Sequence, residues 1–146
     1  MRVLIQRVEQ AQVQVNEEVI GEIGQGLLIF VCAEPDDTEL ISQRLLQKIL
    51  KLRIFSDDQG KMNQSVQDAQ GELLIVSQFT LIADTSRGNR PSYTAAASPD
   101  VARALYNTFV TQARLSGLRV ATGQFGAYMK VSLINDGPVT IPMSSN

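Results

Sequence analysis

Two uninterrupted apolar runs, Leu27 to Ala33 and Leu73 to Val76, constrain what this chain can fold into more than any other feature. Both are short for a helix and rich in β-formers, and neither holds a polar residue to turn toward water. Each predicts a strand covered on both faces, placed in the middle of a sheet. The second run ends abruptly in polar atoms. Ser77, Gln78 and Thr80 bring two hydroxyls and a carboxamide to its end with Phe79 between them, and strand ends are where a rigid scaffold presents groups to a ligand. The plainer alternative is a strand giving way to a loop.

At 146 residues with 44% hydrophobic content, the chain can build one well-packed core and is short for two, so residues 1–146 read as a single domain. Charge and amide groups interrupt Met1 to Val8 before an export-type apolar segment could form, and no apolar run approaches membrane-spanning length. The expectation is a soluble, cytoplasmic protein with no membrane contact. Cys32 is the only cysteine, and its apolar neighbours suggest an inert core thiol. No histidine occurs anywhere. That removes Ser-His-Asp and Cys-His catalysis and His-based metal sites, and a single cysteine cannot build a thiolate zinc site within one chain. A carboxylate-only cation site is the remaining option, but Asp57-Asp58-Gln59-Gly60-Lys61 is better explained as a polar turn. The expectation is therefore neither metal nor cofactor. A net charge of −2 argues against sequence-blind coating of nucleic acid, though a local basic patch could still hold a few phosphates.

Along the chain, Arg2 to Val8 and the strictly alternating Ala11 to Val15 read as strands opening an antiparallel meander, with a turn at Asn16-Glu17-Glu18 and a strand at Val19 to Ile23. Glu34 to Thr38 ends the Leu27–Ala33 strand and caps a helix. Its apolar face carries Leu40, Ile41, Leu45, Ile49 and Leu52, with Leu46 and Leu50 beside them. Arg53 to Phe55 predicts a short strand and Lys61 to Val66 a short edge strand. Ser98 with Pro99 predicts the start of a second helix to about Leu115, burying Val101, Leu105, Phe109 and Val110, with Gly117 ending it. Leu118 to Ala121 is a strand, Thr122 to Ala127 a Gly-rich turn, and Tyr128 to Ile134 a last strand whose alternation leaves one side exposed or facing an interface.

Two segments lack clear periodicity. Leu81 to Tyr93 is long for an idle loop, and Arg87 and Arg90, flanking Gly88 and Asn89, could present two guanidinium groups to phosphates or could simply be solvated. Asn135-Asp136-Gly137-Pro138-Val139-Thr140 reads as a turn, with a Gly-Pro bond that could be cis. The order strands, helix, strands, helix, strands implies an α+β domain: a mostly antiparallel sheet or partial barrel with two helices packed on it.

Ser77-Gln78-Phe79-Thr80 and Asn135 to Thr140, framed by Met1-Arg2-Val3, Gln6-Arg7-Val8 and Gly88-Asn89-Arg90-Pro91-Ser92, resemble the D-aminoacyl-tRNA deacylases over nearly the whole chain. The resemblance implies a homodimer with active sites at the subunit interface. Its substrate would be the 3′ end of aminoacyl-tRNA, and its reaction hydrolysis of the ester to a D-amino acid or glycine. Ser77, Gln78, Phe79 and Thr80 would line the pocket. Gly137 and Pro138, joined by a cis bond, would reach into the partner's site and exclude L side chains with main-chain carbonyls, and Arg7 would orient them. Phosphate contacts would fall to Arg87, Arg90 and Lys61.

The missing histidine bears on mechanism independently of any resemblance. A serine or threonine nucleophile would lack its usual base, whereas an ester at the end of tRNA sits beside a ribose 2′-hydroxyl that can assist water while backbone N–H groups near Phe79 and Thr80 hold the oxyanion. Two alternatives remain: an esterase using Thr80 as nucleophile, and a non-catalytic dimeric RNA-binding module. Simple aryl esters would be turned over only by the first, and neither kind of ester by the second.

Overall fold

The computed structural model describes residues 1–145. The two expected opening strands are one, β1 (Arg2–Val15). It turns through Asn16 and Glu17, both at positive φ, into β2 (Glu18–Ile23), and β3 (Gly26–Cys32) then continues along the same edge. The far half of β1 pairs with β2, from Ala11 to Val15, and its near half with β3, from Arg2 to Val8, both antiparallel. The helix α1 (Glu39–Leu50) follows, with the Thr38 side chain accepting from Ile41 N at 3.3 Å. The strands β4 (Phe55–Ser56) and β5 (Met62–Gln64) form a separate small hairpin. Next come β6 (Glu72–Ser77), a 3-10 turn at Phe79–Ile82, α2 (Pro99–Arg114), β7 (Val120–Thr122) and β8 (Lys130–Ser144).

The sheet is mixed. β8 lies antiparallel to β1 along its free edge, but β6 runs parallel to both its neighbours, β3 and β7. The cause is the connections: each parallel pair is joined through a segment containing a helix, long enough to return the chain to the starting end. The apolar runs end up covered on both faces, as their composition implied. On β3 and β6 the side chains of Leu27, Ile29, Leu73 and Ile75 face the helices, while Leu28, Leu74 and Val76 face the inner side with Val8 and Val13. Both helices lie on the same outer face, packed against each other. Leu40 and Val101, read as buried, are exposed instead, because each sits in the first turn of its helix beside the buried stripe.

Because β1 hands one edge to two strands in succession, the sheet curls and β2 comes against β7, nearly closing a barrel. Gly21 makes that approach possible, since a Cβ there would run into the backbone carbonyl of Thr122. The last strand also departs from expectation. Asn135 to Thr140 does not reverse the chain; it is a wide bulge inside β8, where two steps along β1, from Gln6 to Val8, face five along β8, from Thr140 to Asn135. Its turn-favouring residues allow the backbone to buckle without ending the strand. Among the described residues no helix is long and apolar enough to cross a membrane.

Gly21→Ala should destabilise the fold by about 2 kcal/mol, because the clash is with main chain and the two strands must part. Urea unfolding of the variant beside the parent checks this, and unchanged midpoints would mean that β2 and β7 are not held together.

Candidate functional site

Parallel strands deliver their carboxyl ends to one end of a sheet, and in α/β folds that end receives ligands. β3, β6 and β7 do so here, and a cavity of about 750 Å3 opens where they stop. Val31, Cys32 and Ala33 leave β3 along one wall, Ser77, Gln78 and Phe79 leave β6 along another, and the loop after β7 supplies Phe125 to Met129. Tyr106 of α2 lies deeper, and Ser98 and Pro99 bring the first turn of that helix to the edge.

Among the described residues no charged side chain lines the cavity. Two of its side chains, Cys32 and Tyr106, are held in their neutral forms. Burial pushes the Cys32 thiol up from its ordinary value, and the Glu34 carboxylate adds to the effect. Burial likewise pushes Tyr106 up to about 12, with its hydroxyl donating to the Ile75 carbonyl at 2.8 Å. Neither can serve as a base near neutral pH.

The Ser77–Thr80 stretch is shaped by the end of the ladder. Gln78 N still donates to Val31 O at 2.8 Å, and then the chain tightens into the 3-10 turn. The Gln78 carboxamide donates to Thr80 Oγ1, so that hydroxyl is engaged as an acceptor. Among the described residues the N–H groups of Phe79 and Thr80 have no acceptor, as the first amides of a helical turn must lack one inside it. Ser77, Gln78 and Phe79 therefore line the cavity together, with Thr80 tied to them through Gln78.

Arg7 lies elsewhere. It is buried, and its guanidinium donates to Asp136 O at 2.9 Å and Ile54 O at 2.6 Å, with the Asp136 carboxylate 3.6 Å away. Asn135 closes the bulge from inside, accepting from Val139 N at 2.8 Å and donating to Thr140 Oγ1 at 3.0 Å. The Gly137–Pro138 peptide is cis, and Gly137 has φ +152, where a Cβ would stand 2.6 Å from Val139 N. Arg7, Gly137 and Pro138 are thus brought together, but they do not line the cavity formed by their own chain.

Arg87 and Arg90 are exposed on a loop closed at its base by a two-way backbone pair between Asp84 and Ser92. That loop is rooted at the cavity, where Tyr93 meets Phe79 edge-on at 5.1 Å. Lys61 is on the β4–β5 hairpin and does not line the cavity; it sits in a turn organised by Asp57, which accepts from Gln59 N and Lys61 N. Sequence reasoning missed Tyr106, Phe125 and Tyr128. The glycine-rich turn from Thr122 to Ala127 was the one signal, and it marked the loop without singling out any of the three side chains.

The family model for D-Tyr-tRNA(Tyr) deacylase matches residues 4–144. Curated relatives described as D-aminoacyl-tRNA deacylase include one from Polaromonas naphthalenivorans, 61% identical over 98% of this chain and 96% of the relative. Another, from Variovorax paradoxus, is 57% identical over 98% of both. A solved structure described as c-Myc DNA unwinding element binding protein superposes with TM-score 0.93 at 41% identity, covering 100% of this chain and 99% of its own. A second, described as a probable eukaryotic D-amino acid tRNA deacylase, shares the fold at TM-score 0.86 and 21% identity over 97% of each chain.

Tyr106 supplies a pH test of the cavity floor. Its folded-state value exceeds its ordinary value of 10, so the stability it contributes is intact below pH 10 and lost as pH rises through about 12. The loss should be roughly 3 kcal/mol, and Tyr106→Phe should remove that part of the alkaline decline in urea unfolding. The same alkaline slope in both proteins would contradict the buried phenol.

Proposed function

This chain belongs to the D-Tyr-tRNA(Tyr) deacylase family and is an enzyme of D-aminoacyl-tRNA deacylation, and from that premise we propose how it works: by ester hydrolysis driven by main-chain amides and the substrate's own 2′-hydroxyl. The observation that carries this reading is the uncharged cavity. With no carboxylate, ammonium or imidazole facing the ester, positioning and main-chain dipoles must supply the rate. The ester carbonyl oxygen points at the N–H groups of Phe79 and Thr80. Water adds to the carbonyl carbon, the neighbouring 2′-hydroxyl orients it and relays its proton, and the 3′-oxygen leaves protonated with free tRNA. Each amide donor to the oxyanion supplies on the order of 3 kcal/mol, and an aminoacyl ester is labile from the start.

Chirality is checked by exclusion. In a homodimer, the partner's Gly137 and the partner's Pro138 enter the cavity mouth and their carbonyls occupy the space an L side chain would need, while D side chains and glycine point elsewhere. Two features support this. The bulge is held from both sides, by Arg7 and by Asn135, and in its own subunit it is left outside the cavity. Arg87 and Arg90 at the rim, with Lys61 on its hairpin, contact tRNA phosphates. The enzyme acts in the cytoplasm, clearing D-amino acids and mischarged glycine from tRNA before they reach translation.

D-tyrosyl-tRNA should lose its ester rapidly in the presence of a chelator while L-tyrosyl-tRNA does not, and equal loss of both would sink the exclusion mechanism. Arg7→Ala removes a charged donor from two carbonyls, so it should cost roughly 3 kcal/mol of stability. At a temperature where it stays folded, it should lower the D-over-L rate ratio at least tenfold. Thr80→Val should keep substantial activity, since that hydroxyl already accepts from Gln78 and no base faces it. Complete inactivity of a folded Thr80→Val protein would instead favour the nucleophile mechanism. Reversing the charge of Arg87 and Arg90 should weaken tRNA binding and flatten its salt dependence.

A further inference from the structure

Tyr128 is 86% exposed, far more than Phe79 at 54% or Tyr93 at 37%, although all three edge the same cavity. One exposed aromatic is ordinary, but three exposed aromatics on the edge of one cavity make the kind of apolar patch that marks a ligand groove. The loop that carries it is well fixed. Ala127 N donates to Gln124 O at 3.1 Å, Gly126 takes φ +77, and Gln124 N contacts Met129 Sδ at 3.4 Å. Phe125, in the same loop, points inward beside Tyr106, with ring centroids 5.9 Å apart. Its other contact is the guanidinium of Arg103 from α2, 4.6 Å from the ring centroid. That stacking orients the guanidinium while leaving its N–H edge unpaired, for Arg103 is exposed and forms no ion pair among the described residues. The cation is therefore held over Phe125, which lines the cavity three residues before the exposed Tyr128.

We propose that Tyr128 and Arg103 form a ledge for the single-stranded nucleotides that precede the terminal adenosine, Tyr128 stacking on a base and Arg103 pairing with a phosphate. This rests on the tRNA reading above and adds to it a second point of contact beyond the ester. A cavity of about 750 Å3 holds the aminoacylated nucleoside, and the strand must leave it past the rim. Aromatic platforms interleaved with cations are how proteins hold unpaired nucleotides without reading their sequence. The ledge would tolerate any tRNA, since all share the same 3′ end.

The chain contains no tryptophan, so Tyr128→Trp introduces a single fluorescent reporter on the ledge. Its emission should be quenched by deacylated tRNA and by the trinucleotide CpCpA, and not by adenosine alone. Quenching by adenosine to the same extent would assign Tyr128 to the terminal nucleoside and overturn the proposal, as would no quenching by any of the three. In kinetics, Tyr128→Ala should raise KM for D-tyrosyl-tRNA about tenfold more than for D-tyrosyl-adenosine, with kcat little changed. Arg103→Ala should do the same and also reduce the salt dependence of KM, while Arg103→Lys restores the salt dependence. Equal effects on both substrates would overturn the ledge. Quenching needs no turnover, so a parent protein that failed to hydrolyse D-tyrosyl-tRNA would defeat the functional reading while leaving the ledge to be judged on fluorescence.

Discussion

Everything here depends on burying β3 and β6 on both faces. Their side chains alternate between the helices on one side and the interior of the curled sheet on the other, and every residue of the two apolar runs but the half-buried Phe30 is buried. Covering the outer face needs a helix after each strand, a helix in the connection makes the next strand parallel, and parallel strands end at the same place. The position of the cavity follows from that chain of causes. At roughly 2 kcal/mol for each large apolar side chain removed from water, the pair of strands is also the most costly part of the fold to disturb. The site is therefore built on the least mobile backbone available to it.

What the scaffold presents at that end is uncharged side chains and main-chain amides. The wall from β6 ends in a 3-10 turn whose leading amides are free, and the lining contains no charge. Among the described residues Arg7 is the one buried residue with a cationic side chain, and it is spent on carbonyls: those of Ile54 and Asp136. A buried guanidinium is expensive to desolvate and stays only where its donors are satisfied, so its use here makes the bulge of β8 a fixed shape. The filter proposed above, being made of backbone, would be indifferent to side-chain identity, which suits deacylation of D-aminoacyl-tRNA.

How much of this was legible in the sequence differs from element to element. The doubly covered strands were, because composition alone states that neither face meets water. Both helices were, from periodicity and from Thr38 and Ser98 with Pro99 at their starts. Ser77 to Thr80 stood out because polar atoms follow the apolar run so abruptly. The parallel direction of β6 did not, since an unbroken apolar run carries no information on which way its neighbours point. Asn135 to Thr140 misled because Asn, Asp, Gly and Pro favour a buckled backbone whether or not the chain reverses, and only the pairing of Gln6 with Thr140 distinguishes a bulge from a turn. Tyr106 and Phe125 were illegible for a related reason: a lone aromatic in a helix or a loop looks like core until its neighbours across the fold are known.

The central claim is that the reaction runs on neutral groups, with the substrate's 2′-hydroxyl in the role usually given to a protein base. The most direct test compares D-tyrosyl-tRNA ending in adenosine with the same ester on tRNA ending in 2′-deoxyadenosine, under single-turnover conditions with enzyme in excess. The account predicts that the deoxy substrate still binds but is hydrolysed at least a hundredfold more slowly. Equal rates for the two would contradict it and would require a base that this cavity does not display.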